Sequence, residues 1–334
     1  MSAIEPSGLA LFWAAVIAVA ILVYVILDGF DLGVGILFGT TRDAALRDQM
    51  IAAISPFWDG NETWLVVVGA SLFGAFPMVY AAVLPAFYIP VLLLLLALIF
   101  RGVAFEFRYG AGGRALWDWG FFLGSTVAAF VQGAAVGAMI RGIPVTNGQY
   151  AGGPFEWLRP LSVLTGIGLV LGYALLGACW LTMKSEGALR DWAWRRISRS
   201  PGLCWWCWGS PSSQPLLRAR MTGNLFLDRP WGLVFPGVGL LAMAGVFIGV
   251  RERCDGVPLA MTAVFFLAAF LSLAVMFWPY MIPYTITVAD AAEPEKSLSF
   301  LFWGAGVFVL PIIAIYTAVV YWVFRGKQRR AYGG

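Results

Sequence analysis

The sequence predicts an all-α polytopic membrane protein, on three observations. Hydrophobic residues make up 60% of the 334 and charged residues only 12%, against about 25% charged in a soluble domain. The apolar residues fall into eight clear stretches with charge gathered at their ends, and roughly 20 apolar residues cross a hydrocarbon layer about 30 Å thick. The short alternating segments of a β-barrel are missing. Each span is therefore a helix that satisfies its own backbone groups.

The first span, near 9–38, starts almost at Met1 without a basic leader or a small-residue cleavage site, so it is expected to stay as an anchor. The second, 57–76, opens on acidic residues and closes at Phe76-Pro77-Met78-Val79-Tyr80, a tight turn into the third, 79–105. The fourth, 117–140, carries Gln132 at mid-depth, where an amide hydrogen-bonds between helices. Spans near 161–183, 231–250, 258–283 and 299–325 follow, with prolines at 77, 85, 90, 279, 283 and 311 to bound or kink them. Sixteen tryptophans and eleven tyrosines suit interfacial belts, among them Trp117, Trp119, Trp157, Trp303 and Trp322. The whole chain, 1–334, reads as one membrane domain.

Loop charge sets orientation. Arg42 and Arg47, then Arg101, Arg108 and Arg114, then Lys184, Arg190, Arg195, Arg196 and Arg199 mark one side as cytoplasmic and the N-terminus as extracytoplasmic. Eight spans would then put Arg251, Arg253 and the basic tail (Arg325, Lys327, Arg329, Arg330) outside. One further crossing between about 200 and 230 repairs both conflicts and leaves sixteen of the 22 basic residues inside, with a cytoplasmic C-terminus. Yet 200–229 is broken by Pro201, Pro211 and Pro215 and carries Arg218 and Arg220. Either a frameshift has degraded an ordinary span, or the segment is a long amphipathic loop. The gene sequence separates the two: the frameshift requires an apolar run in another frame. Cys204-Trp205-Trp206-Cys207 lies here, and a lone CxxC without histidine is a weak metal or redox signal.

Ionisable residues inside spans are costly and mark functional sites by default. Asp28 and Asp31, in Asp28-Gly29-Phe30-Asp31-Leu32-Gly33-Val34-Gly35, are three apart and share a helix face, with glycines that admit a neighbouring helix. They serve either a functional site or helix packing. Asp59 and Glu62, in Phe57-Trp58-Asp59-Gly60-Asn61-Glu62-Thr63-Trp64, fit a capping box, and equally a pair of carboxylates that collects protons. Arg101 and Glu106 end the third span, either as a local ion pair with basic anchoring or as part of conduction. Asp290, Glu293 and Glu295 form an acidic loop read as a solvated face.

The chain has no histidine, the commonest ligand for haem, copper, iron and zinc. It shows no P-loop, no Ser/His/Asp set and no HExxH, so nothing points to hydrolysis or nucleotide-driven transport. The net charge of +4 reflects basic loops rather than affinity for nucleic acid.

Gly29-Phe-Asp-Leu-Gly-Val-Gly35, Trp58-Asp-Gly-Asn-Glu-Thr-Trp64 and Arg101-Gly-Val-Ala-Phe-Glu-Phe-Arg108 together closely resemble subunit II of cytochrome bd-type quinol oxidases, with a length like the shorter subunits of the cyanide-insensitive branch. The resemblance is strong over 8–185, weaker over 230–325 and lost between about 200 and 229. It implies nine helices, as two four-helix bundles plus a peripheral helix. The first bundle would occupy 1–145, and the second bundle with the peripheral helix 155–330. It implies a heterodimer in the bacterial inner membrane. Subunit I would hold the haems, oxidise quinol and reduce oxygen to water with cytoplasmic protons, building a proton gradient for aerobic respiration. Subunit II would bind no haem, line part of the proton path in some members and hold a structural quinone. By the same resemblance Asp59 matches the aspartate at the cytoplasmic proton entrance, Asp28 and Asp31 the first-helix acids, and Arg101 and Glu106 the end of the third helix; Glu62 joins them as a proton-path candidate. No residue of this chain is expected to be catalytic, and no metal ligand is expected. Expected partners are subunit I, quinol, membrane lipids and small accessory subunits. Two rivals stand beside this reading: a stand-alone proton- or cation-coupled transporter, and a purely structural scaffold.

Overall fold

The computed structural model describes residues 5–108, 113–199 and 229–327. The broken segment with its CxxC, apart from Arg229, lies outside the described residues. Seven helical stretches among those described are long and apolar enough to cross a membrane: Gly8–Phe38, Tyr88–Phe107, Arg114–Arg141, Pro160–Lys184, Pro230–Arg251, Val257–Phe277 and Glu295–Val323. The all-α polytopic class holds.

Helix α1 (Gly8–Phe38) starts at the Ser7 cap, whose hydroxyl accepts from the Ala10 amide at 3.2 Å. Its first half buries Ala10, Trp13, Ile17, Ala20 and Tyr24, the stripe of a helix packed on one side. From Asp28 to Phe38 every residue is buried, because α1 becomes the central strut of the bundle. Helix α2 (Ala44–Ile54) is short and capped by Asp43, which accepts from the Ala45 and Leu46 amides. Helix α3 (Trp58–Ala75) is 18 residues long, enough to reach about 27 Å, and its first turns are polar.

The third span is broken. Phe76 closes α3 and opens α4 (Pro77–Ala86), and Phe87 separates α4 from α5 (Tyr88–Phe107). Helix α6 (Arg114–Arg141) leads through a two-residue hairpin, β1 (Val145–Thr146) with β2 (Gln149–Tyr150), to α7 (Pro160–Lys184) and the polar α8 (Gly187–Arg199). Beyond the gap come a 3₁₀ turn, Pro230–Leu233, and α9 (Val234–Arg251), then α10 (Val257–Phe277). The chain leaves the helix at Trp278, six residues short of the expected 283, to form the antiparallel pair β3 (Tyr280–Ile282) and β4 (Ile286–Thr287). Helices α11 (Val288–Ala291) and α12 (Glu295–Leu301) follow, and a π-helical stretch, Phe302–Gly306, joins α12 to α13 (Val307–Val323). In the acidic loop Asp290 has a job: with Thr287 it closes the capping box of α11.

Helix α1 packs against α3, α6 and α7, α6 lies along α5 and α7, and α9 pairs with α10. The tightest crossing is α1 on α7. A Cβ on Gly33 would run into the Tyr173 carbonyl, and one on Gly177 would lie 2.5 Å from the Val34 nitrogen. Lipid gives helices no hydrophobic reason to associate, so such backbone-to-backbone contact supplies the packing.

One end of the bundle is closed by charge. Asp118 of α6 takes Arg47 at 2.7 Å and Arg108 at 2.6 Å, Arg108 also pairs with Asp48, and both guanidinium groups lie over the Phe38 ring. Asp118→Ala should lower stability by about 2–4 kcal/mol, since it leaves two arginines without a shared anion. The check is the thermal midpoint of the purified protein in detergent. At the same end Asp255 accepts from Arg190 at 2.7 Å and Lys327 at 2.9 Å, while Lys184 donates to the Phe324 and Gly326 carbonyls. Burial pushes Asp255 up, but the hydrogen bonds from Arg190 and Lys327 prevail and hold its carboxyl below the usual range. That latch is therefore present above the ordinary aspartate pKa and is lost as pH falls through the lowered value.

The Asp255 contacts place the 251–257 loop and the tail beside α8. Arg229, a helix length away at the other end of α9, donates to the Trp278 carbonyl. The 251–257 loop and the tail thus lie at one end of α9 and Arg229 at the other.

Candidate functional site

Two of the carboxylates singled out in the sequence, Asp28 and Glu62, converge on one guanidinium, and Asp31 lies near them. Arg101, in the last turns of α5, is 1% exposed; its Nη1 lies 2.7 Å from Asp28 Oδ1 of α1 and 3.3 Å from Glu62 Oε1 of α3. Asp28 is fully buried, whereas Glu62 keeps about a quarter of its side chain exposed. Asp31 is also fully buried, and it accepts a 2.7 Å hydrogen bond from Asn61 Nδ2. Asn61 donates to the Leu27 carbonyl as well and accepts from the Tyr321 hydroxyl of α13 at 3.1 Å. Four helices thus meet at one polar knot, and the spacing that built it is simple. Residues 28 and 31 share one face of α1, and residues 61 and 62 face it from the start of α3.

The remaining two candidates stay outside this knot. Asp59 is exposed in the first turn of α3, three residues before Glu62 on the same side. Glu106 faces outward near the end of α5, and Arg101 pairs with Asp28 and Glu62 instead. The capping-box reading is corrected: Phe57 is the N-cap of α3 and no side chain caps it. Starting two residues earlier than an Asp59 cap would allow puts Asp59 and Glu62 inside the helix.

A second polar run leads inward. Tyr173 of α7 donates to Gln132 Oε1 at 3.0 Å, and Gln132 Nε2 donates to the Tyr24 hydroxyl at 2.9 Å. Gln132 does bond between helices, as its depth implied. Its partners, though, are tyrosines assigned to interfacial belts; Tyr24 and Tyr173 are buried inside the bundle, as is Trp157 near the hairpin. Tyr24 lies one turn before Asp28 on the same face of α1. On the other side of Asp31 an aromatic group seals the knot: Phe30 stacks on Trp180 at 3.9 Å, with Phe57 and Tyr321 packed around them. Sequence reasoning missed Asn61, Tyr24, Tyr173 and Tyr321. The one available signal was Asn61, a polar residue one helix step from Glu62 in an apolar span.

What such an arrangement can do is hold and pass charge. Two carboxyl groups lie dry beside a guanidinium, a third reaches the surface, and a fourth lies one turn beyond it. Metal ligation is a poor fit: among the described residues no three of Cys, Asp and Glu group as a metal site, and the sequence offers no imidazole.

Comparison with known proteins identifies the family. The family model described as "Cytochrome bd terminal oxidase subunit II" matches residues 9–324. "Cytochrome bd-I ubiquinol oxidase subunit 2" of Escherichia coli (strain K12) is 30% identical over 365 residues, covering 97% of this chain and 96% of that protein. "Cytochrome bd ubiquinol oxidase subunit 2" of Bacillus subtilis (strain 168) is 29% identical, covering 94% and 95%. A solved bd oxidase structure from Geobacillus thermodenitrificans superposes with a TM-score of 0.74 at 17% identity, over 95% of this chain and 99% of that one. At that identity the likeness is one of fold.

Proposed function

This chain belongs to the cytochrome bd terminal oxidase subunit II family, and from that premise we propose that it works as the haem-free second subunit beside a haem-bearing subunit I. The chain is a multi-pass membrane protein and a subunit of a quinol-oxidising oxidoreductase complex. Its own residues fit no haem. The sequence lacks histidine altogether, and the buried Cys179 thiol is engaged with the Thr262 hydroxyl at 3.7 Å. The haems and the reduction of oxygen accordingly fall to the partner. Subunit I, quinol, lipids and any accessory chains are the partners this reading carries, in a bacterial inner membrane with the Arg47–Asp118 end cytoplasmic. The two-bundle division, 1–145 and 155–330, places the α6–α7 contact at the seam.

The role we assign to the chain's own residues is proton uptake from the cytoplasmic side. Asp59 and Glu62 form the mouth, Glu62 touches Arg101, and Arg101 holds Asp28 beside Asp31. The observation that carries this is the guanidinium shared by Asp28 and Glu62, because it joins a half-open carboxylate to dry ones in a single contact. A carboxylate that only packed helices together would have no need of a water-facing neighbour. Glu106 has no part in this chain of contacts and is assigned to the surface.

Asp59→Asn should slow quinol:oxygen turnover several-fold while haem content stays intact, less than the roughly 10²–10⁴-fold of a lost general acid or base, because Glu62 still opens to water. Unchanged turnover in a fully assembled complex would leave only the scaffold reading. The transporter reading makes a different demand: substrate loading by the lone chain in liposomes.

A further inference from the structure

We propose that the two carboxyl groups of α1 have different permanent states: Asp28 is the fixed anion that balances Arg101, and Asp31 rests as a neutral carboxylic acid. This deepens the proton-uptake reading, for Asp31 then becomes the loaded site of the path, and in that sense it rests on that reading.

Asp28 holds its cation through one oxygen, Oδ1, while its Oδ2 has no hydrogen-bond partner. Arg101 Nη1 lies 2.7 Å away. Tyr173 gives its hydrogen to Gln132, and Gln132 gives one of its own to the Tyr24 oxygen. The Tyr24 hydrogen is left unspent one turn from Asp28. A hydroxyl has a single hydrogen, so the run ends with a donor beside Asp28, whose cation is Arg101.

Asp31 has a different setting. Among the described residues no Lys or Arg nitrogen lies within 4 Å of it. The groups that face it are Asn61 and Glu62 of α3, Arg101 of α5, Asp28 of its own helix, and Tyr321 of α13 behind Asn61. The Asn61 amide is fixed in orientation. Its Nδ2 donates to the Leu27 carbonyl at 3.3 Å and its Oδ1 accepts from Tyr321, and a turned amide would set oxygen against oxygen. Asp31 Oδ2 therefore accepts from Asn61, and its Oδ1, like Asp28 Oδ2, has no hydrogen-bond partner; what sets Asp31 apart is that only a neutral amide, and no cation, touches it.

Charge count points the same way. Asp28, Asp31 and Glu62 gather about one guanidinium. Glu62 is partly open to water, and Asp28 has the short contact. Asp31 alone would be a dry, unpaired anion, the state that burial penalises most.

The test uses the assembled complex labelled with 4-13C-aspartate and read by infrared difference between wild type and variant. Asp31→Asn should remove one label-sensitive carboxylic-acid carbonyl band and leave the yield of haem-containing complex near wild type. Asp28→Asn should remove no such band and cut that yield several-fold, with partial recovery in the double variant Asp28→Asn/Arg101→Gln. The proposal falls if Asp31→Asn leaves the carboxylic-acid region unchanged, or if the band goes with Asp28 instead. Should Asp28→Asn fail to accumulate, the Asp31→Asn spectrum decides alone. A lost band with normal turnover in Asp31→Asn would sink the conduction role while leaving the protonation state established.

Discussion

Arg101→Gln is expected to remove most of the assembled oxidase from the membrane. The substitution leaves Asp28 without its cation in a fully buried position and takes the Arg101 contact from Glu62. Breaking a buried pair by removing one partner costs about 3–5 kcal/mol, and total stability is commonly about 5–15 kcal/mol. The cost exceeds that of replacing both partners, because an orphaned carboxylate remains in the dry bundle. Haem per unit of membrane protein and an immunoblot of the subunit measure the loss. Arg101→Lys should recover only part, since an ammonium cannot offer the same fork of donors to Asp28 and Glu62. Wild-type haem content in Arg101→Gln would mean that the knot is dispensable for folding.

Gly33→Val should be as severe for a different reason. Even a single Cβ at this position meets the Tyr173 carbonyl and lies 2.9 Å from the Gly177 nitrogen, so backbone rather than a flexible side chain would have to yield. Overpacking a core costs about 1–3 kcal/mol when side chains can rearrange. Here α1 and α7 would have to part, and the Tyr173–Gln132–Tyr24 run with them. Gly177→Val should behave as its mirror image. Gly8→Ala is the control: nothing lies within 4 Å of its added carbon, and a surface change of this kind stays within about 0.5 kcal/mol. Detergent-resistant complex after mild heating separates these outcomes.

Much of this architecture was legible in the sequence because a bilayer imposes a coarse rule. Apolar length gives most of the spans. The charge conflict at Arg251, Arg253 and the tail called for another passage between 200 and 230. The residues that would make that passage lie outside the described ones. Asp28, Asp31, Glu62 and Arg101 stood out because ionisable groups are rare in spans. Pairing was not legible. Arg101 had Glu106 five residues away in sequence, but those two point to different sides of α5, and its partners come from two other helices. The Tyr24 and Tyr173 assignments failed for a related reason: a tyrosine in an apolar stretch looks the same whether its hydroxyl reaches headgroups or an amide in the next helix. The break at Phe87 falls between Pro85 and Pro90, prolines able to bound or kink a span, but the unbroken apolar run gave no sign of which it would be.

The Gln132 amide, clasped between the Tyr24 and Tyr173 hydroxyls, acts as a registration pin. Leucine-rich helices in lipid can slide past one another at little cost, since each new neighbour is as oily as the last. A slip of one turn, about 5.4 Å, would pull this amide from both hydroxyls and leave all three groups facing hydrocarbon. The bundle thereby keeps α1, α6 and α7 at a single height, and the depth of Asp28 and Asp31 in the membrane is fixed by a contact in which neither takes part.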